Sequence, residues 1–410
     1  MRIAVMLIIF GFVFSAVTAE AEFSIHPSIT VGEEYNDNVF DSYVNKKSDF
    51  ITHIMPGLNT KYKTAFWDLD LSYLYDYRYY AKNSRNDDSA HDLSANGLIT
   101  IVDNLLFLEV NEAYRKVSLD VTRDYTRESL NFDQTDSNIV TASPYVKLRP
   151  FTQLETKIGY RYGNFWYDDP EAISKSQHSG YITMDYEVMP KIFINSSYTY
   201  TISEARQNPH ANSYTKHNAY IGPRYEYADK CFIFGYGGYT DIEFRDGTSF
   251  SNPFWNAGIN HTFGTYVALI EAMVRYDEDP LQVLTEEMLF SGKLEKKLPR
   301  GSASLGVRYS EYTDLKTDKL TQKTYGGELG FSYELLPRLT AKLDFVAERY
   351  DYEDNGGHTN RIFVNPLLRY ELPREISVSL EYMFVDYDSP TIVEDNRRTN
   401  RAMVELTKVF

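Results

Sequence analysis

Charged side chains recur at every second position in long stretches of the sequence, separated by apolar or aromatic residues. Residues with a period of two lie on one face of a β-strand. Such a face can hold water, ions and polar solutes, and here it carries both signs of charge. We predict that it lines a polar passage formed by Asp68, Asp70, Lys157, Arg161, Lys342, Asp344, Glu381, Arg401 and Glu405.

The histidines show no pattern that indicates metal binding or nucleophilic catalysis. The eight histidines are scattered, and none forms a His-x-x-x-His or Cys–His cluster of metal-ligand spacing. We therefore expect no metal, no cofactor, no catalytic residue and no enzymatic activity. A hydrolase whose Ser and His meet only in the folded chain stays an alternative, because the many serines leave that possibility open.

The composition bounds the partners and the chemistry of the chain. The 410 residues include 42 Lys and Arg against 58 Asp and Glu, a net charge of −16. An acidic chain without a basic stripe argues against nucleic-acid binding. The single cysteine, Cys231, permits no intrachain disulfide.

The N-terminus predicts export. Arg2 precedes an apolar run at residues 3–17, and Ala19-Glu20-Ala21 matches the A-x-A cleavage pattern. A transmembrane anchor, the alternative, needs about 20 apolar residues. We therefore predict a signal peptide over residues 1–21 and a single domain over residues 22–410.

The alternating runs are about 11–15 residues long, whereas strands of soluble proteins usually have about 5–6. A transmembrane strand needs about 9–11 residues. The 35 Tyr and 24 Phe in a hydrophilic chain are also typical of membrane barrels, whose aromatic girdles mark both interfaces. Strand length therefore favours an all-β transmembrane barrel over a soluble sandwich.

Tight turns recur near residues 65, 103, 150, 190, 228, 264, 299, 337 and 373, and longer polar loops lie between them. Four of the turns have the pattern apolar-Pro-basic, and proline suits a turn better than a central strand. Nine turns and ten loops predict an antiparallel up-and-down barrel of about 20 strands, within a range of 18–22. Merging a weak pair around residues 244–277 would give eighteen.

The chain ends on an alternating strand in which Phe410 shares a face with Leu406 and Val404. A terminal aromatic residue resembles the signal read by the barrel-assembly machinery, although Lys408 departs from the usual pattern. We expect this last strand to adjoin the first strand, which we predict at residues 24–35.

The lumen of such a wide barrel exceeds what side chains alone can fill. Because the first strand begins close to the cleavage site, we expect no plug domain. The longest loop spans about residues 119–137. We expect it to be an external, solvated loop, and an inward constriction is the alternative.

Three segments near the N-terminus carry a family resemblance. Residues 32–40 contain a Tyr-x-Asp-Asn-x-Phe core, and residues 48–58 and 71–80 follow as candidate second and third strands. They resemble the outer-membrane β-barrels encoded beside exopolysaccharide and PEP-CTERM/exosortase gene clusters. The motifs cover about sixty residues of the chain.

The resemblance implies a bacterial outer-membrane protein that takes part in the export or surface assembly of an exopolysaccharide, as a channel. Its implied partners are outer-membrane lipid, the barrel-assembly machinery, polysaccharide and periplasmic export components. A general diffusion porin for small solutes and a barrel-wall hydrolase are the alternatives.

Overall fold

Twenty strands form one closed sheet in which each strand is antiparallel to both neighbours. This computed structural model describes residues 22–120, 122–281, 284–353 and 356–410, so the predicted signal peptide lies outside the described residues. The strands are β1 (Glu22–Asn36), β2 (Asp49–Lys63), β3 (Trp67–Tyr80), β4 (Asp88–Val102), β5 (Leu106–Ser118), β6 (Gln134–Phe151), β7 (Leu154–Tyr167), β8 (Lys175–Met189), β9 (Ile192–Ala205), β10 (Tyr214–Ala228), β11 (Cys231–Phe244), β12 (Ser249–Phe263), β13 (Tyr266–Glu278), β14 (Leu284–Leu298), β15 (Gly301–Asp314), β16 (Lys319–Leu336), β17 (Leu339–Tyr352), β18 (His358–Leu372), β19 (Ile376–Asp388) and β20 (Arg397–Val409).

Pairing between the first and last strands closes the barrel. The register runs from Ser28 opposite Val409 to Asn36 opposite Arg401. The Phe410 amide donates to the carbonyl of Pro27 at 2.8 Å. The Lys408 ammonium lies 5.3 Å from the centre of the Phe410 ring. The predicted strand number and the predicted contact between the chain ends are confirmed.

The nine tight turns lie where the sequence predicts them, within about two residues. In three of the Pro-basic turns the residue after proline has a positive φ, 74° at Lys191, 72° at Arg338 and 64° at Arg374. Proline followed by a left-handed residue is the geometry of a type II turn. Outer-membrane barrels have their short turns on the periplasmic side. By this rule we call the end with the longer loops the extracellular rim and the opposite end the periplasmic end.

Alternation gives each strand a lipid face and a lumen face, as β19 illustrates. Val378, Leu380 and Tyr382 expose 36, 51 and 41% of their surface on the outside of the barrel. The intervening positions, which include Ser379 and Glu381, face the lumen. Because lipid covers the outer face in the membrane, those exposed apolar side chains are buried there.

In the residues that the structure describes, helical structure is confined to two short turns on the rim, α1 (Pro209–Asn212) and a 3₁₀ turn at Val393–Asp395. Within the described part of the chain, no helix has both the length and the apolar character needed to cross a membrane.

Arginine at a lipid-facing position should destabilise the barrel far more than arginine at the adjacent lumen-facing position. We expect Leu380→Arg to lower the free energy of unfolding by about 2–4 kcal/mol, because its charge would lie in hydrocarbon. Ser379→Arg is the matched control, since its side chain would lie beside Glu405 in the lumen. Guanidinium unfolding in phospholipid vesicles measures both, and equal losses would contradict the assignment of faces.

Candidate functional site

The nine charged residues predicted to line a passage alternate with the lipid-facing residues of their strands, so all nine lie on the lumen face. Near the turn between β2 and β3, Asp68 lies 3.5 Å from Lys63 and Asp70 lies 3.0 Å from Lys61. These four side chains are 49–70% exposed. They are therefore accessible to water at the periplasmic end of the lumen.

On β7 the predicted pair lies against neighbouring aromatic and acidic residues. The Lys157 ammonium lies 4.0 Å from Glu155, and the Arg161 guanidinium lies 5.2 Å from the centre of the Tyr181 ring. Lys342, on β17, is exposed. These cations are distributed along the wall and do not converge on one point.

The other predicted residues make contacts close to the closure strands. Glu381 accepts a hydrogen bond from the Asn365 amide at 2.7 Å, and Glu405 accepts one from Ser379 at 2.8 Å. Arg401 forms two hydrogen bonds, of 3.0 and 2.6 Å, with the fully buried carboxylate of Glu34. Arg401 thus belongs to a buried ion pair, whereas the predicted role was a water-exposed lining residue.

The segment between β5 and β6 corrects the prediction of a solvated external loop. We call residues 119–133 the inner loop; residue 121 lies outside the described residues. The inner loop lies against lumen-facing side chains of β2, β3 and β17 to β20. Around the wall, β5 and β18 are seven strand positions apart. The loop therefore extends along the inside of the barrel and narrows its extracellular end.

Tyr125 anchors the inner loop in an aromatic nest. It is 4% exposed and packs with lumen-facing residues of three strands. Arg123 stacks over the same nest, donates to the Tyr125 hydroxyl at 2.9 Å and pairs with Asp395 at 3.3 Å. Burial raises the pKa of the Tyr125 phenol, so the hydroxyl stays neutral. The nest consists of Tyr350, Phe363, Met383, Val385 and Tyr387.

Glu128 supplies the charged anchor of the inner loop. Its carboxylate is 2% exposed and lies 2.8 Å from the Arg361 guanidinium and 3.3 Å from that of Arg397. Tyr387 also donates its hydroxyl to Glu128. A buried carboxylate is tolerated only when it is paired and hydrogen-bonded. The two arginines, on β18 and β20, therefore determine where the loop tip lies.

The second half of the inner loop, after Glu128, packs against residues on or next to β1, β2 and β3. Leu130 packs against Val39, Ile51 and Tyr80. The Ser129 hydroxyl donates to Asp41, which also accepts from Thr399 at 2.8 Å. The loop is thus fixed at both ends of its inward course.

Rim contacts also narrow the other half of the barrel. The Ile173 amide, between β7 and β8, donates to the carbonyl of Pro280, between β13 and β14, at 2.7 Å. At the same end of the barrel lies an apolar cluster formed by Tyr214, Ile242, Phe244, Leu284 and Leu315. The extracellular rim is consequently packed on both sides.

The charged side chains at the two ends of the lumen differ in their solvent-exposed fraction. Lys293 and Glu328, which face each other on β14 and β16, are each 51% exposed. Under the inner loop, Arg361 and Arg397 are 11 and 7% exposed. The periplasmic part of the lumen is therefore open to water, and the constriction lies at the extracellular end.

Three histidines share a position on the outside of the barrel. His91, His178 and His217 each hydrogen-bond through Nδ1 to a tyrosine hydroxyl of the preceding strand, at 2.8, 2.5 and 2.8 Å. Each is the fourth residue of its strand. This placement suits the aromatic girdle. No group of three or more potential metal ligands occurs in the described ranges.

Sequence reasoning missed Tyr125, Glu128, Arg361 and Arg397. Tyr125, Leu130 and Phe132 are large apolar or aromatic residues among the many polar residues of the loop, and they are the sign of inward packing that the sequence offers. Nothing in the spacing connects Glu128 with arginines more than 200 residues away.

No protein-family model matches the chain, and no curated protein matches it in sequence. Its fold resembles solved structures of bacterial outer-membrane proteins. A mutant of the ferric enterobactin receptor PfeA from Pseudomonas aeruginosa aligns with a TM-score of 0.55 and 8% identity, over 96% of this chain and 81% of that one.

Two further structures give similar alignments. The FrpB iron transporter (F5-1 variant) from Neisseria meningitidis has a TM-score of 0.53 and 11% identity, covering 94% of this chain and 82% of that one. The siderophore receptor PirA from Pseudomonas aeruginosa has a TM-score of 0.51 and 8% identity, covering 94 and 80%. At this identity the likeness shows the fold alone, an outer-membrane β-barrel.

Removing the charged anchor should release the inner loop. We expect Glu128→Ala to accelerate amide hydrogen exchange in residues 122–133 roughly a hundredfold, because a lost buried pair costs about 3 kcal/mol. Hydrogen-exchange mass spectrometry measures the change. Glu204→Ala, which removes an exposed rim pair with Arg245, is the control and should leave the loop unchanged. Unaltered exchange in the first variant would show that Glu128 does not hold the loop.

Proposed function

We propose that the protein is a diffusion channel of the bacterial outer membrane that admits small hydrophilic solutes through a lumen constricted by the inner loop. The observation that carries this proposal is the contrast between the water-exposed charged wall and the packed rim. Half-exposed ion pairs such as Lys293–Glu328 indicate a wetted lumen, and a closed barrel of 20 strands is wide enough to hold one.

The charges of the wall bear on which ions would pass. Lys61 faces Asp70, Lys63 faces Asp68 and Lys293 faces Glu328, so at each of these pairs a passing ion meets both signs of charge. Paired charges leave little net field in the lumen. We therefore expect weak selectivity between cations and anions.

Conductance in planar bilayers tests the channel. We expect the purified barrel to conduct KCl with a cation-to-anion permeability ratio near one. Replacing residues 122–131 by a short glycine linker should raise the single-channel conductance severalfold, because the inner loop narrows the lumen. Replacing α1, which has no buried residue, by glycines is the control and should not raise it. A folded barrel without conductance in either form would overturn the proposal.

As a second candidate function we propose, from the resemblance of residues 32–80 alone, that the channel exports an exopolysaccharide to the cell surface. The polar lumen and the absence of a catalytic motif in the sequence are compatible with this cargo. Outer-membrane lipid, the barrel-assembly machinery that would read the strand ending at Phe410, and periplasmic export components would be the partners.

Deletion of the gene tests this cargo. We expect a deletion strain to lose surface polysaccharide, measured by carbohydrate staining and release into the medium, and to recover it with the wild-type gene. An unchanged amount of surface polysaccharide would contradict the export role and leave the diffusion channel standing.

A further inference from the structure

A patch of aromatic rings lies on the lumen face of β10, β11 and β12. Its four members, which we call the ring patch, are Tyr220, Phe234, Tyr236 and Phe254. The ring of Tyr220 lies 5.0 Å from that of Tyr236 and 6.5 Å from that of Phe254. Phe234 precedes Tyr236 by two residues on the same face of β11. The four rings lie on one face of three neighbouring strands, in a lumen that also presents many charged side chains.

The register of β11 confirms that this surface faces inward. Ile242, on the same face, is 1% exposed beneath the rim, whereas Ile233 and Tyr239 on the other face are 48 and 50% exposed to the lipid side. The four rings themselves are partly exposed. They are therefore accessible from the lumen.

Two glycines allow rings of the patch to lie close to the backbone of the neighbouring strand. A Cβ atom added to Gly238 would lie 2.4 Å from Cζ of Phe254, and one added to Gly258 would lie 2.7 Å from Cζ of Phe234. Only glycine leaves room for such a close approach. Each of these two rings thus lies close to the wall, and both are partly exposed on the lumen face.

The exposed faces of the ring patch are not covered by cations, in contrast to other rings of the wall. Lys157 and Arg161 lie over Tyr145 and Tyr181 at 5.8 and 5.2 Å. At the periplasmic end of β11, Arg224 lies 4.2 Å from the centre of the Phe232 ring. Within the described ranges of the chain, no comparable cation lies over the ring patch.

Hydrogen-bonding groups border the rings. Asn256 donates to Glu271 at 2.8 Å and to the Tyr236 hydroxyl at 3.3 Å. Its buried Oδ1 atom has no partner among the residues that the structure describes. Asn256, Tyr236 and Phe254 line a recess of about 190 Å³ together with Asn218.

A second recess lies along the same strands at the periplasmic end. It has a volume of about 390 Å³ and is lined by Arg224, Glu226, Phe232 and Asn260, among others. The Nε atom of Arg224 is buried and, in the described part of the chain, unpaired. The ring patch therefore continues into polar recesses with unsatisfied hydrogen-bonding atoms.

We propose that the ring patch is a binding surface for an oligosaccharide chain, which makes saccharides the solute class of the proposed channel; this inference rests on that proposed function. The faces of sugar rings carry C–H groups that stack on aromatic faces, and stacking removes apolar surface from water. Sugar hydroxyls both donate and accept, which matches the Asn256 amide and the Glu271 carboxylate. A purely aliphatic ligand would leave those polar groups unpaired.

Current block of single barrels by hexasaccharides tests the proposal. The probes are maltohexaose, cellohexaose and chitohexaose, added to both sides of a planar bilayer in KCl. We expect at least one to block the wild-type channel in proportion to its concentration. Tyr236→Leu and Phe254→Leu, tested singly, should each raise the half-blocking concentration roughly tenfold, because each removes one stacking face. Tyr236→Phe keeps the ring and should change it far less.

Two control variants separate stacking from general damage. Tyr239→Leu changes the outer face of β11, and Tyr181→Leu removes a ring that Arg161 already covers; both should leave the block unchanged. Block by none of the three sugars, or equal block in the leucine variants of the ring patch, would overturn the saccharide site while KCl conductance still supports the channel.

The failure of the channel itself has a different outcome. A barrel that shows β-sheet circular dichroism but carries no current contradicts the proposed function. The same hexasaccharides and variants are then titrated by calorimetry in detergent. Heat of binding that is lost in Phe254→Leu would support the ring patch as a saccharide site, and no binding to the wild-type barrel would overturn it.

Discussion

Lipid offers no hydrogen-bonding partner to the backbone, and this constraint determines the architecture of the molecule. Every amide and carbonyl in the membrane must be paired within the protein, so a sheet can cross only when it has no free edge. Here the edge disappears because residues 28–36 of β1 pair with residues 401–409 of β20. The same closure separates lipid from lumen, and the alternation of side chains then gives each strand one apolar and one polar face.

Closure also explains why charged groups accumulate at the extracellular end of the lumen. Lumen-facing arginines such as Arg361 and Arg397 lie where the rim is packed and water is scarce. An unpaired guanidinium there would be costly, and so would an unpaired Glu128. Bringing Glu128 between the two arginines satisfies all three groups and fixes the inner loop inside the barrel.

The lumen therefore combines two kinds of surface. Its constricted end is held by buried ion pairs and the aromatic nest, which leave few groups free for a solute. Its wider part presents half-exposed charges and, on β10 to β12, aromatic rings, two of which lie close over glycines. A solute that crosses the barrel would pass both the constricted end and the wider part. The residues that set the width of the lumen are therefore different from those that could bind the solute.

Much of the fold was predictable because it rests on local patterns. The turns at Pro190 and Pro337 follow from the fixed φ and the missing amide proton of proline. The faces of Asp344 and Glu381 follow from the period of two. The strand count and the contact between the first and last strands followed from the same turns, and the predicted roles of Asp68, Asp70, Lys157 and Lys342 rest on this alternation alone.

By itself, then, the sequence determined the strands, their faces, the turns and the barrel, because these depend on neighbours in the chain and on the contrast between lipid and water. The tertiary structure decided the course of the inner loop and the burial of Arg401 against Glu34. Those contacts join residues more than 200 positions apart, and their strength depends on the exclusion of water. The spacing of residues along the chain indicates neither which distant residues meet nor how deeply they are buried. Only the closed barrel shows both.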